Sequence, residues 1–347
     1  MISNGLFERI DSATRHGDKE RYDVAPGRGC KLSVHDPESE VLYELDLGTP
    51  PQELQKWAKE NIREDPNTRC MVLEDFRDLI YARGECTPHR TDDAFLLRFL
   101  RGRKFSVEAA YKLFVNYYRF KEENPEYFDG VNLMRLLRIS GDDIITVPPY
   151  REASGRRILL YRMGKWDPEK YTITELFQAT MAILELAIME PRAQILGGIG
   201  LFDLSNLTLQ QAYYMTPSLA HKIVQVLVTS FPMKIHAIHI VFQPWIFDIV
   251  YRVFQPFITG PMKNRIFFHG EDLDSLHKHI DPKHLPEKYG GKHPDYDFVP
   301  WVHGFNRSAQ ILGELKNLGY DISERDLAEE HRKDLEEDQS LSDGKGS

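Results

Sequence analysis

At 347 residues, with 41% hydrophobic and 28% charged residues, the chain is long enough for two packed units. That composition excludes a collagen-like, wholly disordered or disulfide-scaffold protein. Its net charge of −9 is uneven: residues 308–347 hold five Lys/Arg against eleven Asp/Glu, six of the nine net negative charges, and the near-neutral remainder is a poor generic binder of nucleic acid.

Residues 1–40 mix Gly, Asp, Arg and Ser without periodicity and are expected to be a flexible N-terminal segment. Met1–Ile10 lacks a basic start and an apolar run, and no later stretch reaches about 18 uninterrupted apolar residues, so a chain neither secreted nor membrane-spanning is expected. Cys30, Cys70 and Cys86 show no CxxC spacing, which suggests neither a disulfide framework nor a zinc cluster and fits a reducing, cytosolic setting. Thr49-Pro50-Pro51-Gln52 reads as a hydroxyl cap opening a helix to about Asn61. Helical spacing then recurs in Val72, Phe76, Leu79 and Ile80, and again in Val107, Ala110, Tyr111, Phe114, Val115 and Tyr118. A helical domain over 41–130 follows, with Arg98, Arg101, Arg103 and Lys104 on and just after its middle helix.

The pattern changes in 131–300. Arg157–Met163, Ile199–Leu204 and Ile235–Phe242 read as buried strands, Arg265–His269 as a fourth and Ile144–Val147 as an edge strand. The capping box Thr172-Ile173-Thr174-Glu175 opens the helix joining the first two, and Thr216-Pro217 opens the next crossover. Long crossovers between strands predict βαβ units and a mostly parallel sheet, so the fold class is α/β with a helical preface. Residues 301–347 are expected to be an acidic, flexible tail, with the charge-dense stretch after 321 able to recruit a protein partner.

The most informative stretch is 244–258, where Trp245, Ile246, Ile249, Val250, Val253, Phe254, Phe257 and Ile258 fall in two adjacent rows. Phe247 and Tyr251 widen the stripe, so apolar material must touch both sides of this helix. It is either a central core helix or a lid over a ligand that also meets a bilayer. Pro256 and Gly260-Pro261 supply a stop or hinge. Thr180 interrupts an apolar helix; it either bonds back to the preceding turn or orients a ligand in a cavity. No G-x-S-x-G or phosphate-binding glycine loop is present, and Gly197-Gly198-Ile199-Gly200 precedes a strand instead of following one. His277 and His279 with Asp272 and Asp274 lack the spacing of a metal site. Asp203, at a strand end, reads as a turn or cap residue. No enzyme is expected.

The runs TDDAFLLRFLRGRKFSVEAA and YRMGKWDPEKYTITELF, with SFP at 230–232, QPW at 243–245 and LPEKYGG at 285–291, resemble the CRAL-TRIO lipid-transfer family. The likeness is to the branch that holds tocopherol and retinaldehyde carriers and the clavesins, and it covers about 49–300. It implies an N-terminal helical bundle on an α/β lipid-binding domain, a mobile gate helix at 243–265 over an apolar cavity, and no catalysis. The implied ligand-binding wall is Phe177, Thr180, Leu184, Phe202, Ile223, Val226, Leu227, Phe231, Met233, Ile235 and Ile238, with Phe247, Val250, Phe254 and Ile258 from the gate. A phosphoinositide headgroup site is implied at Arg103, Lys234, His236 and Arg265 with Lys263 nearby. His236 and Pro261 stand where relatives carry basic residues, and His236 would titrate near neutrality. Leu184 replaces a hydroxyl of the tocopherol carrier. The expected function is therefore binding and intermembrane transfer of a small hydrophobic lipid (tocopherol, retinoid or another isoprenoid), with no cofactor beyond that lipid. Docking on phosphoinositide membranes such as endosomes is expected with it. The alternative is a clavesin-like phosphoinositide-binding adaptor in membrane trafficking.

Overall fold

A computed structural model describes residues 44–295, 301 and 308–322. The segments expected to be flexible at 1–40 and beyond 322 lie outside the described residues. Among the described residues five α-helices precede the sheet: α1 (Gln52–Ile62), α2 (Arg69–Arg83), α3 (Asp93–Gly102), α4 (Val107–Glu123) and α5 (Leu133–Gly141). α1 starts with Pro51 at its N-cap and no side-chain cap, so the cap expected at Thr49 is not made. The two prolines precede the first turn instead of entering it.

Alternation of large apolar residues drives the strands into one five-stranded sheet in the order β1 (Ile145–Thr146), β2 (Ile158–Arg162), β3 (Gly198–Asp203), β4 (Ile235–Val241) and β5 (Ile266–Gly270). β1 runs antiparallel on β2, and the other pairs are parallel. Tyr161 pairs with Phe202 and Phe202 with Ile240, which puts all three on one face. The crossovers are α6 (Ile173–Ala187) and α7 (Pro191–Leu196), then α8 (Leu209–Tyr213) and α9 (Pro217–Gln225), then α10 (Phe247–Phe254) and α11 (Gly260–Lys263). α6 begins with the capping box read from sequence, Thr172 accepting from Glu175 N and Glu175 from Thr172 N. α9 runs into a π-helical turn at Val226–Ser230. Gly197 sits at φ +78°, and a Cβ there would fall 2.1 Å from Lys234 O, so this glycine cluster serves a tight strand entry. α12 (Leu273–His277) and the LPEKYGG segment cover the opposite face through Leu276, Ile280, Leu285 and Tyr289.

The helical unit is an aromatic cluster: Phe99 meets Phe114 edge-on at 5.0 Å, and Phe76, Phe95, Tyr117 and Tyr118 complete it. It is continuous with α6 through Phe177, Met181, Leu184 and Ile188. α1 instead packs Leu54, Ala58 and Ile62 on Ile195 and Leu196 of α7. Arg101 closes the join, forked on Glu64 at 2.9 and 2.6 Å and bonded to Gln194 at 2.7 Å.

The expected tail needs correction over 308–322. Ser308 caps α13 (Ala309–Asn317), whose Ile311 and Leu315 are buried with Leu318, Tyr320 and Trp301. Glu314 binds Arg90 at 2.6 Å and Arg98 at 3.2 Å, and Asp321 N donates to Val131 O. Burying these apolar residues, at roughly 1.5–3 kcal/mol each, outweighs ordering a charge-rich segment.

Candidate functional site

Between the sheet and its crossover helices lies an almost wholly apolar cavity of about 230 Å3. Side chains of β2, β3 and β4 form its floor, α6 and α9 its walls, and α10 its cover. Twelve of the fifteen predicted wall residues line it: Phe177, Thr180, Leu184, Phe202, Ile223, Val226, Leu227, Ile238, Phe247, Val250, Phe254 and Ile258. Phe231, Met233 and Ile235 do not. Phe231 and Met233 are buried in the cluster shared with the helical unit, the Phe231 ring 6.4 Å from that of Tyr117, and Ile235 packs at the edge of that cluster. The chain turns through SFP there, and Phe231 and Met233 follow the helical unit, while Ile235 packs against both that cluster and the residues under the cavity.

The wall also holds residues the motif carry-over missed, among them Tyr161, Met163, Trp166, Leu176, Gln211, Tyr251 and Ile240. Strand alternation was a signal for two: Tyr161 and Ile240 share the Phe202 face. Gln211 completes a capping box with Thr208, a pattern that locates a helix start and says nothing of a cavity. Thr180 bonds back to the preceding turn, donating to Leu176 O at 2.9 Å, and it also lines the cavity.

The cover is shorter than the stripe at 244–258. α10 spans only Phe247–Phe254, because Pro244 and Pro256 each remove a donor and disfavour helix in the residue before them. No residue of α10 is buried. Its inner side meets the cavity, while Trp245 just before it is 66% exposed and Ile249 47%. Tyr213 of α8, 86% exposed, and Leu209 add apolar surface, and Phe268 of β5 is exposed as well. Such a cluster of uncovered large apolar side chains suits contact with an apolar medium.

Around the entry to β4, the predicted Arg265 acts on Lys234 together with Arg156 and Lys104. Burial, and then repulsion from Arg265, Arg156 and Lys104, pull Lys234 down to about 8. No carboxylate pairs with Lys234 among the described residues. Arg156 also bears on Lys234, its Nε donating to Leu196 O at 3.1 Å and Glu152 lying 3.6 Å from it. Arg103 instead donates to Val228 O at 2.9 Å and Gly102 O at 3.2 Å, and Lys263, exposed at the end of α11, is not among the charges acting on Lys234. His236 is also corrected: lost hydration and repulsion from Arg156 and Lys234 lower it to about 4, so it is neutral near pH 7. Sequence spacing gave no signal for Arg156, which arrives from the turn before β2.

Asp203 has no free capacity for chemistry. It accepts from Ser205 N at 2.9 Å, Ser205 Oγ at 2.6 Å and Tyr289 Oη at 2.8 Å, and Lys288 Nζ lies 2.6 Å away. Burial opposes its charge, but these partners hold its carboxyl below the usual range. Among the described residues no cluster of His, Cys, Asp or Glu could hold a metal ion. His269 is spent on His239 at 3.0 Å and Ser275 at 2.9 Å, and His277 on Tyr289 O. No described helix is long and apolar enough to cross a membrane.

Comparison with known proteins places this geometry. Residues 142–291 match the CRAL/TRIO domain and residues 52–116 the CRAL/TRIO N-terminal domain. The chain is similar to Clavesin-2 of Homo sapiens, 34% identical over 263 residues that cover 75% of this chain and 80% of that protein. It is 35% identical to Clavesin-1 of Xenopus laevis over 266 residues, covering 75% and 79%. The crystal structure of Sfh5 overlays on 68% of this chain and 91% of its own at 13% identity, with a TM-score of 0.41.

Proposed function

This chain belongs to the CRAL/TRIO family, and from that premise we propose that it holds one small hydrophobic lipid beneath α10 and passes it between membranes without catalysis. The observation that carries this reading is a cover helix with one side on an apolar cavity and apolar residues beside it in solvent. Water on both sides would cost about 25 cal/mol for each Å2 of apolar surface, so a bound lipid inside and a bilayer outside relieve both. The cluster of Lys234, Arg265, Arg156 and Lys104 supports docking on anionic phosphoinositide headgroups, because a half-buried cation among like charges gains most from an anion. The place of action is then the cytosolic surface of phosphoinositide-bearing membranes such as endosomes.

Native mass spectrometry of the purified full chain, with solvent extraction of whatever co-purifies, tests the carrier reading. A stoichiometric isoprenoid or other lipid supports it. Phe254→Asp puts an unpaired carboxylate over the cavity and should reduce occupancy by tenfold or more. A second reading, a phosphoinositide-binding trafficking adaptor with a protein partner on the acidic segment after 321, is favoured by the basic cluster standing apart from the cavity. A lipid-free chain that still binds phosphoinositide vesicles would favour it.

A further inference from the structure

The carrier reading leaves the lipid's polar end undefined, and the donors and acceptors of the cavity wall bear on it. The Tyr161 ring stacks on Phe202, centroids 4.4 Å apart and planes 1° from parallel, which fixes where its hydroxyl lies. That hydroxyl donates to Thr180 Oγ1 at 3.1 Å, and Thr180 gives its own hydrogen to Leu176 O. Gln211 spends its amide hydrogens on the carbonyls of Met163 and Trp166. The Trp166 indole N–H goes to Tyr171 O at 2.7 Å. The side-chain hydrogens of these wall residues are therefore all engaged, while Tyr161 and Thr180 each keep an oxygen lone pair. Tyr251, the remaining hydroxyl on the lining, is on the cover helix, its ring against Phe247 and Phe268. Among the described residues the lining contains no Lys, Arg or His.

Resting on that reading, we propose that the Tyr161–Thr180 pair selects a lipid whose polar end is a hydroxyl over the matching ether, aldehyde or carboxylate. A hydroxyl brings the donor that this wall lacks and can bond to Tyr161 Oη or Thr180 Oγ1. An ether or aldehyde brings only acceptors, and to meet one Tyr161 must withdraw its hydrogen from Thr180, exchanging one bond for another. An ionised carboxylate would be buried with no counter-charge.

The test is equimolar competition on the full chain, read by native mass spectrometry, between tetradecan-1-ol and each of 1-methoxytetradecane, tetradecanal and tetradecanoate. The alcohol should win by about tenfold, the equivalent of one matched hydrogen bond. In Thr180→Val, which frees the Tyr161 hydrogen to meet an ether, and in Tyr161→Phe/Thr180→Val, which removes both oxygens, the alcohol-to-ether ratio should fall toward one, while Thr180→Ser, which keeps the oxygen, should keep the parent ratio. Equal occupancy by alcohol and ether in the unmodified chain overturns the inference and leaves the carrier reading standing. So does a preference lost in Tyr251→Phe but kept in both wall variants. No occupancy by any of the four overturns the carrier reading, and the selectivity with it.

Discussion

On one face of the sheet Leu160, Ile199, Leu201 and Val241 are buried under Leu276, Ile280, Leu285 and Tyr289, while on the other Tyr161, Phe202, Ile238 and Ile240 look into the cavity. The polar groups divide in the same way. At the closed face Arg162 donates to Tyr289 Oη at 3.2 Å and to Asp295 at 2.9 Å and pairs with Asp143, and Tyr289 donates to Asp203. At the basic rim where the chain enters β4, Lys234 has no carboxylate partner among the described residues, and Arg265, Arg156 and Lys104 repel its charge. The same strands thus support one surface complete within the chain and one that is incomplete in both apolar contact and charge. The incomplete side is where a second molecule gains most by binding, since a ligand that meets unmet groups stabilises the folded state. It also gives the LPEKYGG motif a structural meaning. Tyr289 and Lys288 lock the segment to the end of β3, and Gly291 is required where a Cβ would lie 1.8 Å from Leu285 O.

The sharpest way to break this comparison is to truncate one residue on each face. Leu285→Ala empties a fully buried site among packed neighbours and should cost about 2–5 kcal/mol. Ile240→Ala enlarges a space that already exists, so it should cost about 1–2 kcal/mol, chiefly the lost transfer term. Urea unfolding of the lipid-free chain measures both, and equal costs would mean that the two faces are packed alike. Next in size is Tyr289→Phe, which strips the shared hydroxyl from Arg162 and Asp203 and should cost about 1–3 kcal/mol in the same assay. A loss under a few tenths would show that Lys288 and the Ser205 turn suffice to hold Asp203.

How much of this was legible in the sequence follows the same division. The strands, the Thr172 capping box and the inward row Phe247, Val250, Phe254 and Ile258 could be read because one-dimensional period reports which side of an element is apolar. Period does not report what covers that side. Phe231 and Met233 carry the same apolar signal as the wall residues, yet they are buried against the helical unit. The helical spacing of Ile311 and Leu315 in α13, with Leu318 just after it, stands in the sequence but reads as one with the charge-dense stretch after 321, and the partners of Glu314, Arg90 and Arg98, lie 224 and 216 residues away. The rim was least legible, because Arg156 joins Lys234 only through the parallel pairing of β2, β3 and β4. Arg103, Arg156 and Arg265 each also donate to a backbone carbonyl, of Val228, Leu196 and Ile235.

The smallest expected effect tests the rim alone. Lys234 is held at about 8 in the fold against 10.5 as the ordinary value. The unfolded chain therefore binds the proton more tightly, and stability from this group climbs as pH rises between those values, while below about 8 the folded state carries the full cost of the charge. Lys234→Met removes that cost and should raise Tm at pH 7 by about 2–4 °C. The same substitution should weaken binding to phosphoinositide vesicles. In the unmodified chain, vesicle binding should decline as pH rises through 8, and Lys234→Arg, charged throughout, should flatten that decline. Differential scanning calorimetry and vesicle co-sedimentation read the two sides of this exchange. A Lys234→Met chain less stable than its parent would mean that the amine is satisfied within the fold, that the rim is as complete as the closed face, and that an anion gains nothing special there.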